Sequence, residues 1–142
     1  MKKSFYVVSM LIATLFCVSV CMADSDIPNL VGTWVVKSEG GLLQKGKEIG
    51  PNTHRTADCS TLNAEAVMTK QEGRIIYGYF KSPRRTENFI AGIGMDNKTI
   101  YYADDDGFID GKIIDKDTIE TVYRHVTDFN IVVSFGVWTR KK

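Results

Sequence analysis

Asn29-Leu30-Val31-Gly32-Thr33-Trp34 heads the first run of this 142-residue chain that reads as a β-strand, Leu30 to Ser38. A glycine two residues before a tryptophan, at the start of a series of short alternating strands, suggests how a small barrel closes one end. Downstream, the chain reads as strands almost throughout. Ala64–Lys70 and Arg74–Lys81 flank Gln71-Glu72-Gly73, a short turn with the glycine a hairpin favours. Glu87–Met95 follows Ser82-Pro83-Arg84-Arg85, where Pro83 lacks a ladder donor. Lys98–Asp104 and Phe108–Ile114 are separated by Asp106-Gly107, a strong hairpin signal because glycine tolerates the positive φ of primed turns. Thr118–Val126 and Asn130–Arg140 complete a set of eight.

Alternation supports the strand reading. Phe89, Ala91, Ile93 and Met95 share one face of their run, and Ile109, Gly111 and Ile113 oppose Asp110 and Lys112. Ile119, Thr121, Tyr123 and His125 share a face opposite Glu120 and Arg124. Eight short antiparallel strands in sequence order predict an all-β, up-and-down barrel, which removes the exposed edges that invite aggregation. A sandwich or a clam-like open barrel is the alternative. At eight strands the lumen is filled by side chains or holds one small ligand.

Upstream, Lys2 and Lys3 precede an uncharged, mostly apolar run from Phe5 to Met22, and Cys21-Met22-Ala23 ends in small residues before Asp24. This is the layout of a secretory signal peptide, residues 1–23, cleaved after Ala23. The alternative is an uncleaved membrane anchor, since the run reaches the lower length limit of a spanning helix. Either way the domain, residues 24–142, is expected outside the cytoplasm, secreted or periplasmic, with membrane contact only if the leader is retained.

Removing 23 residues from 142 leaves 119, one domain by length, large enough to fold without a metal or disulfide. The chain carries 18 Lys plus Arg against 17 Asp plus Glu, and loss of Lys2 and Lys3 takes the net charge from +1 to −1. That balance gives no global attraction for nucleic acid or anionic membrane. Cys17 and Cys21 leave with the leader, so Cys59 has no intrachain partner and is expected to be buried. Between the first two strands, Glu39 to Asn63 reads as a long loop rich in turn formers, among them Gly40-Gly41, Gly46 and Gly50-Pro51. Such a loop would lie across one barrel mouth as a lid or as a surface for a protein partner.

Asn29 to Trp34 resembles the Gly-x-Trp motif of the first strand in the calycin superfamily, which includes lipocalins and avidin-like barrels. The stretch Val67 to Tyr79 also looks like the hairpin after the first strand of avidin-like barrels. The resemblance implies a lipocalin-like barrel closed by Gly32, Trp34 and a basic residue near the chain end, here Arg140, packed over the tryptophan. It implies a small-molecule carrier or a calycin-type protein inhibitor. The mature chain is short for a lipocalin, has no helix before its last strand and offers no disulfide. No run matches the ligand-contacting residues of avidin, so biotin binding is not carried over.

Chemistry-bearing residues are sparse. Asp104-Asp105-Asp106-Gly107 fails the EF-hand spacing, since Gly107 at loop position 6 puts Tyr102 at 1 and Ile113 at 12. A solvated hairpin turn is the expected role. His54, Cys59 and His125 lack the paired spacings of a zinc site or the contacts of a Cys–His nucleophile. No metal, cofactor or catalytic set is therefore expected. Trp34, Tyr77, Tyr123 and His125 are the expected ligand contacts, because flat rings with polar handles suit a small hydrophobic or aromatic guest. The expected function is non-enzymatic binding of such a molecule, with inhibition of an extracellular hydrolase through loop 39–63 as the alternative.

Overall fold

The computed structural model describes residues 27–48, 50, 54–55 and 61–142. The expected leader and Cys59 lie outside them. Eight antiparallel strands form a closed barrel in sequence order: β1 (Gly32–Gln44), β2 (Thr61–Glu72), β3 (Ile75–Lys81), β4 (Thr86–Ile93), β5 (Thr99–Ala103), β6 (Gly107–Asp115), β7 (Thr118–Val126) and β8 (Asn130–Arg140). The first and last strands seal it, from Trp34 opposite Arg140 to Gln44 opposite Asn130.

The period-2 faces resolve as inside and outside. Phe89, Ala91 and Ile93 point inward, as do Ile109, Ile113, Ile119, Thr121 and His125, all buried. Met95 falls just past β4 and is exposed. The core is one cluster running from Leu30 and Trp34 through Ala66, Met68, Ile76 and Ile100 to Ile119 and Trp138.

The expected loop over 39–63 is shorter at both ends, because Glu39–Gln44 belong to β1 and Thr61–Asn63 to β2. Gly40-Gly41, a turn signal by composition, lies inside a strand. A Cβ on Gly40 would stand 2.3 Å from the Val133 carbonyl oxygen, so only glycine admits β8 at that distance. The connection proper is 45–60, at the end of the barrel where β2, β4, β6 and β8 begin. That end is the mouth.

The opposite end is the floor. Gly32 has φ +142°, in the region L side chains rarely adopt, and a Cβ there would also press on the Arg140 guanidinium at 3.0 Å. The indole of Trp34 is wholly buried and donates Nε1–H to the Leu30 carbonyl at 3.0 Å. Arg140 lies 4.4 Å over the Trp34 ring and donates to the carbonyls of Val31 (2.8 Å), Asn29 (3.0 Å) and Lys116 (2.9 Å). Gln71 holds the same crossing segment, accepting from Leu30 N–H and donating to the Pro28 carbonyl. The Asn29–Trp34 stretch thus crosses beneath the barrel and is fastened from both sides.

Candidate ligand cavity at the barrel mouth

Within and against the core cluster, the inward faces of β3, β4, β5 and β8 contribute an arc of rings. Phe89 meets Tyr102 edge-on at 5.1 Å, Tyr102 tilts against Trp138 at 5.1 Å, and Trp138 against Phe80 at 6.1 Å. His54, from the 45–60 connection, closes the arc edge-on to Phe80 at 4.9 Å. These rings border a cavity of about 50 Å³, room for roughly four waters. Its other walls include Arg55, Glu87, Asp104 and Tyr123.

A polar network runs around the mouth side of this cavity. The Glu87 side chain is 2% exposed; its Oε1 accepts from His54 Nε2 at 2.7 Å, and its Oε2 ion-pairs with Arg85 Nε at 2.5 Å. The other ring nitrogen of His54 is 2.7 Å from Ser82 Oγ. Arg55, 2% exposed, donates to Ser38 Oγ at 2.7 Å. His54 and Arg55 therefore tie the 45–60 connection to the barrel wall at two neighbouring points.

Across the mouth, Tyr123 hydroxyl donates to Asp106 Oδ1 at 3.0 Å and lies 2.7 Å from His125 Nδ1. The proton of that hydroxyl is committed to Asp106, so Nδ1 must donate to the tyrosine oxygen. Nε2 in turn donates to Asn130 Oδ1. Both ring nitrogens carry protons, which is the imidazolium form. Burial of His125 disfavours that charge, but the Asp106 carboxylate 3.7 Å from Nδ1 and the hydrogen bond to Asn130 outweigh it and raise its pKa above 6.5. Asp106 is the counterpart. Burial pushes its pKa up, while the nearby His125, the hydrogen bond from Tyr123 and the charge of Arg85 bring it below 3.8.

The signs give a pH window. The His125 contribution is complete below pH 6.5 and is lost as pH rises through its raised value. The Asp106 contribution is complete above pH 3.8 and is lost as pH falls through its lowered value. Urea midpoints of the wild type and His125→Gln, followed from pH 4 to 9, should converge as pH rises above 6.5. Parallel profiles would show that folding leaves the His125 pKa unshifted, and divergence as pH rises above 6.5 would show that the fold holds the ring neutral.

Three carboxylates, Glu87, Asp104 and Asp106, each place an oxygen within 4.8 Å of the others. Asp104 differs from the other two. Its Oδ1 accepts from the backbone N–H groups of Asp106 (3.3 Å) and Gly107 (2.6 Å), and no side-chain cation pairs with it among the described residues. Burial, then the charge of Glu87 and that of Asp106, raise its pKa despite the two backbone bonds. The Tyr102 hydroxyl, on a residue 4% exposed, has no hydrogen-bond partner among the described residues.

The four ligand contacts expected from sequence are spread over three places. Tyr123 lines the cavity, and His125 stands behind it in the network. Trp34 is not a cavity residue; it belongs to the floor, and Trp138 supplies the indole of the cavity instead. Tyr77 is on the outer face of β3, 40% exposed, beneath Lys70 Nζ at 5.9 Å. The parity of β3 decides this, since buried Ile76 is its inward neighbour. Glu87, Asp104, Asp106, Arg85 and His54 were not expected at the site. The signal for the acids was register: Glu87 shares parity with Phe89 and Ala91, and Asp104 and Asp106 continue the inward face of Tyr102. The Asp104–Gly107 turn, read as solvated, exposes Asp105 (71%) but buries the Asp106 side chain (4%).

No family model matches the chain, and no curated protein matches it. Among solved structures, the chain is similar to one described as a redesigned beta barrel, with 11% sequence identity, a TM-score of 0.49, and coverage of 80% of this chain and 92% of that one.

Proposed function

We propose that this chain is an exported, calycin-type binding protein that holds one small, mainly apolar ligand in a lipocalin-like lumen and does no chemistry on it. The observation that carries the reading is the ring-lined cavity with a buried hydroxyl, that of Tyr102, left without a partner among the described residues. A buried polar group without a partner costs about 1–3 kcal/mol, a cost that a bound guest with a complementary group removes. The calycin assignment is supported by the floor, where Arg140 covers Trp34 behind Gly32. The titratable groups of Glu87, His54 and Arg85 are engaged with one another, which suits a wall better than a reaction centre. The same pairing favours a lid role for the 45–60 connection over a protein-docking role, because His54 and Arg55 face the barrel.

The test is the mass of the mature protein purified from its own host, compared under native and denaturing conditions. A chain beginning at Asp24 with a reproducible extra mass that is lost on denaturation is the expected result. A bare chain whose tryptophan emission also stays unchanged on titration with small alcohols and amines would overturn the reading.

A further inference from the structure

We infer that the guest of this cavity is a compact primary amine, its ammonium group held between Asp104 and Tyr102 and its short apolar body against the Phe89, Trp138 and Phe80 rings. The inference rests on the binding function proposed above and narrows it to a chemical class. It begins with how the mouth carboxylates are matched. Glu87 faces His54 and Arg85, and Asp106 faces Tyr123, His125 and Arg85. Asp104, which lines the cavity, is met by two backbone N–H groups on one oxygen and by no side-chain cation among the described residues.

A second observation is independent of the acids. Tyr102 stands two residues before Asp104 on the same inward face, and its buried hydroxyl lacks a partner among the described residues. An ammonium has three N–H donors and no acceptor. One donor suits the carboxylate, another the phenolic oxygen, and the electron-rich faces of the surrounding rings attract the same charge. The volume of about 50 Å³ limits the guest to roughly five non-hydrogen atoms.

Two competing occupants fit less well. A divalent metal among Glu87, Asp104 and Asp106 would sit against the Arg85 guanidinium, whose Nε is 2.5 Å from Glu87 and whose Nη1 is 3.6 Å from Asp106. An anion would turn to Arg55, which already donates to Ser38, and would face Asp104 and Glu87 across the cavity.

The experiment uses the full mature chain at pH 7 and three probes of similar size: isobutylamine, isobutanol and isobutyrate. Binding is read from tryptophan emission and from amide chemical shifts around Tyr102 and Asp104. Isobutylamine should bind about tenfold more tightly than isobutanol, the discrimination expected of one charge-assisted hydrogen bond. In Asp104→Asn that preference should vanish while isobutanol affinity holds. The asparagine Oδ1 still accepts the two turn N–H groups, and removal of a charge crowded by Glu87 should leave the thermal midpoint equal or higher. Tyr102→Phe, which deletes only the unpartnered oxygen, should fold at least as stably and bind isobutylamine several-fold more weakly; the wild-type probe series and this variant decide the matter if Asp104→Asn does not fold. Equal affinity for amine and alcohol, or preference for isobutyrate, would overturn the inference and leave the binding function standing. Saturable Mn²⁺ binding that depends on Asp104 and displaces the amine would overturn it in favour of a metal. Binding of none of the probes would overturn the inference, and together with a bare native mass it would overturn the binding function as well.

Discussion

Glu87→Ala is expected to lower folding stability by about 3–5 kcal/mol, because it strips the shared partner from two groups held inside the mouth. His54 loses its 2.7 Å contact and Arg85 its 2.5 Å contact, and neither is compensated by water at a side chain only 2% exposed. For a domain of this size each kcal/mol is worth about 3–6 °C in thermal midpoint, so the fall is easily measured. Glu87→Gln keeps an acceptor for His54 but not the charge for Arg85, and should cost about 1–3 kcal/mol. The variant also has a local signature. Arg55, 2% exposed, follows His54 in the 45–60 connection, so loss of the His54 anchor should accelerate tryptic cleavage after Arg55 under native conditions. A Glu87→Ala protein within about 1 kcal/mol of the wild type, in the range of exposed pairs, and no more open to trypsin would show that the network is solvated and holds nothing.

Trp34→Ala should cost a similar amount, about 3–5 kcal/mol, by a different mechanism. The indole is wholly buried and lies under the Arg140 guanidinium at 4.4 Å. Its removal leaves a void at the floor and a guanidinium that has lost its ring while still bonded to three carbonyls. Arg140→Met should act on the same unit, so the double variant is expected to cost less than the two single losses combined. Urea denaturation of the four proteins measures the coupling. Because Trp34 is absent from the cavity wall, Trp34→Phe should leave probe affinity at the mouth within about twofold while lowering the midpoint. A larger loss of affinity would place the binding site at the floor.

The two ends of the barrel differ in how much of them could be read from the chain. Strand faces were legible because period-2 alternation survives in single runs: Ile119, Thr121, Tyr123 and His125 do point inward together. The floor was legible because the resemblance that Gly32 and Trp34 carry also implies a basic residue near the chain end, and Arg140 stands there although it is more than a hundred residues from its partners. The mouth was not. Hydropathy gives a charged residue at a turn the same value whether its carboxylate meets water or a buried cation, and the deciding partner lies far along the chain. His54 and Glu87 are 33 residues apart, Tyr123 and Asp106 17. Gly40-Gly41 failed as a turn signal for a related reason: the need for glycine there is set by β8, more than ninety residues later.

The seam between β1 and β8 carries a kinetic consequence. It pairs the beginning of the domain with its end, Trp34 with Arg140 and Gln44 with Asn130, so a nascent chain still lacking β8 can form a curled ladder of seven strands but never a ring. Until β8 emerges, β1 and β7 each present an unsatisfied edge, and the Arg140 latch of the floor does not yet exist. Long-range closure of this kind is slow and comes after local hairpins. Completion of the ring is thus timed to the arrival of β8, whatever the rest of the ladder has already formed.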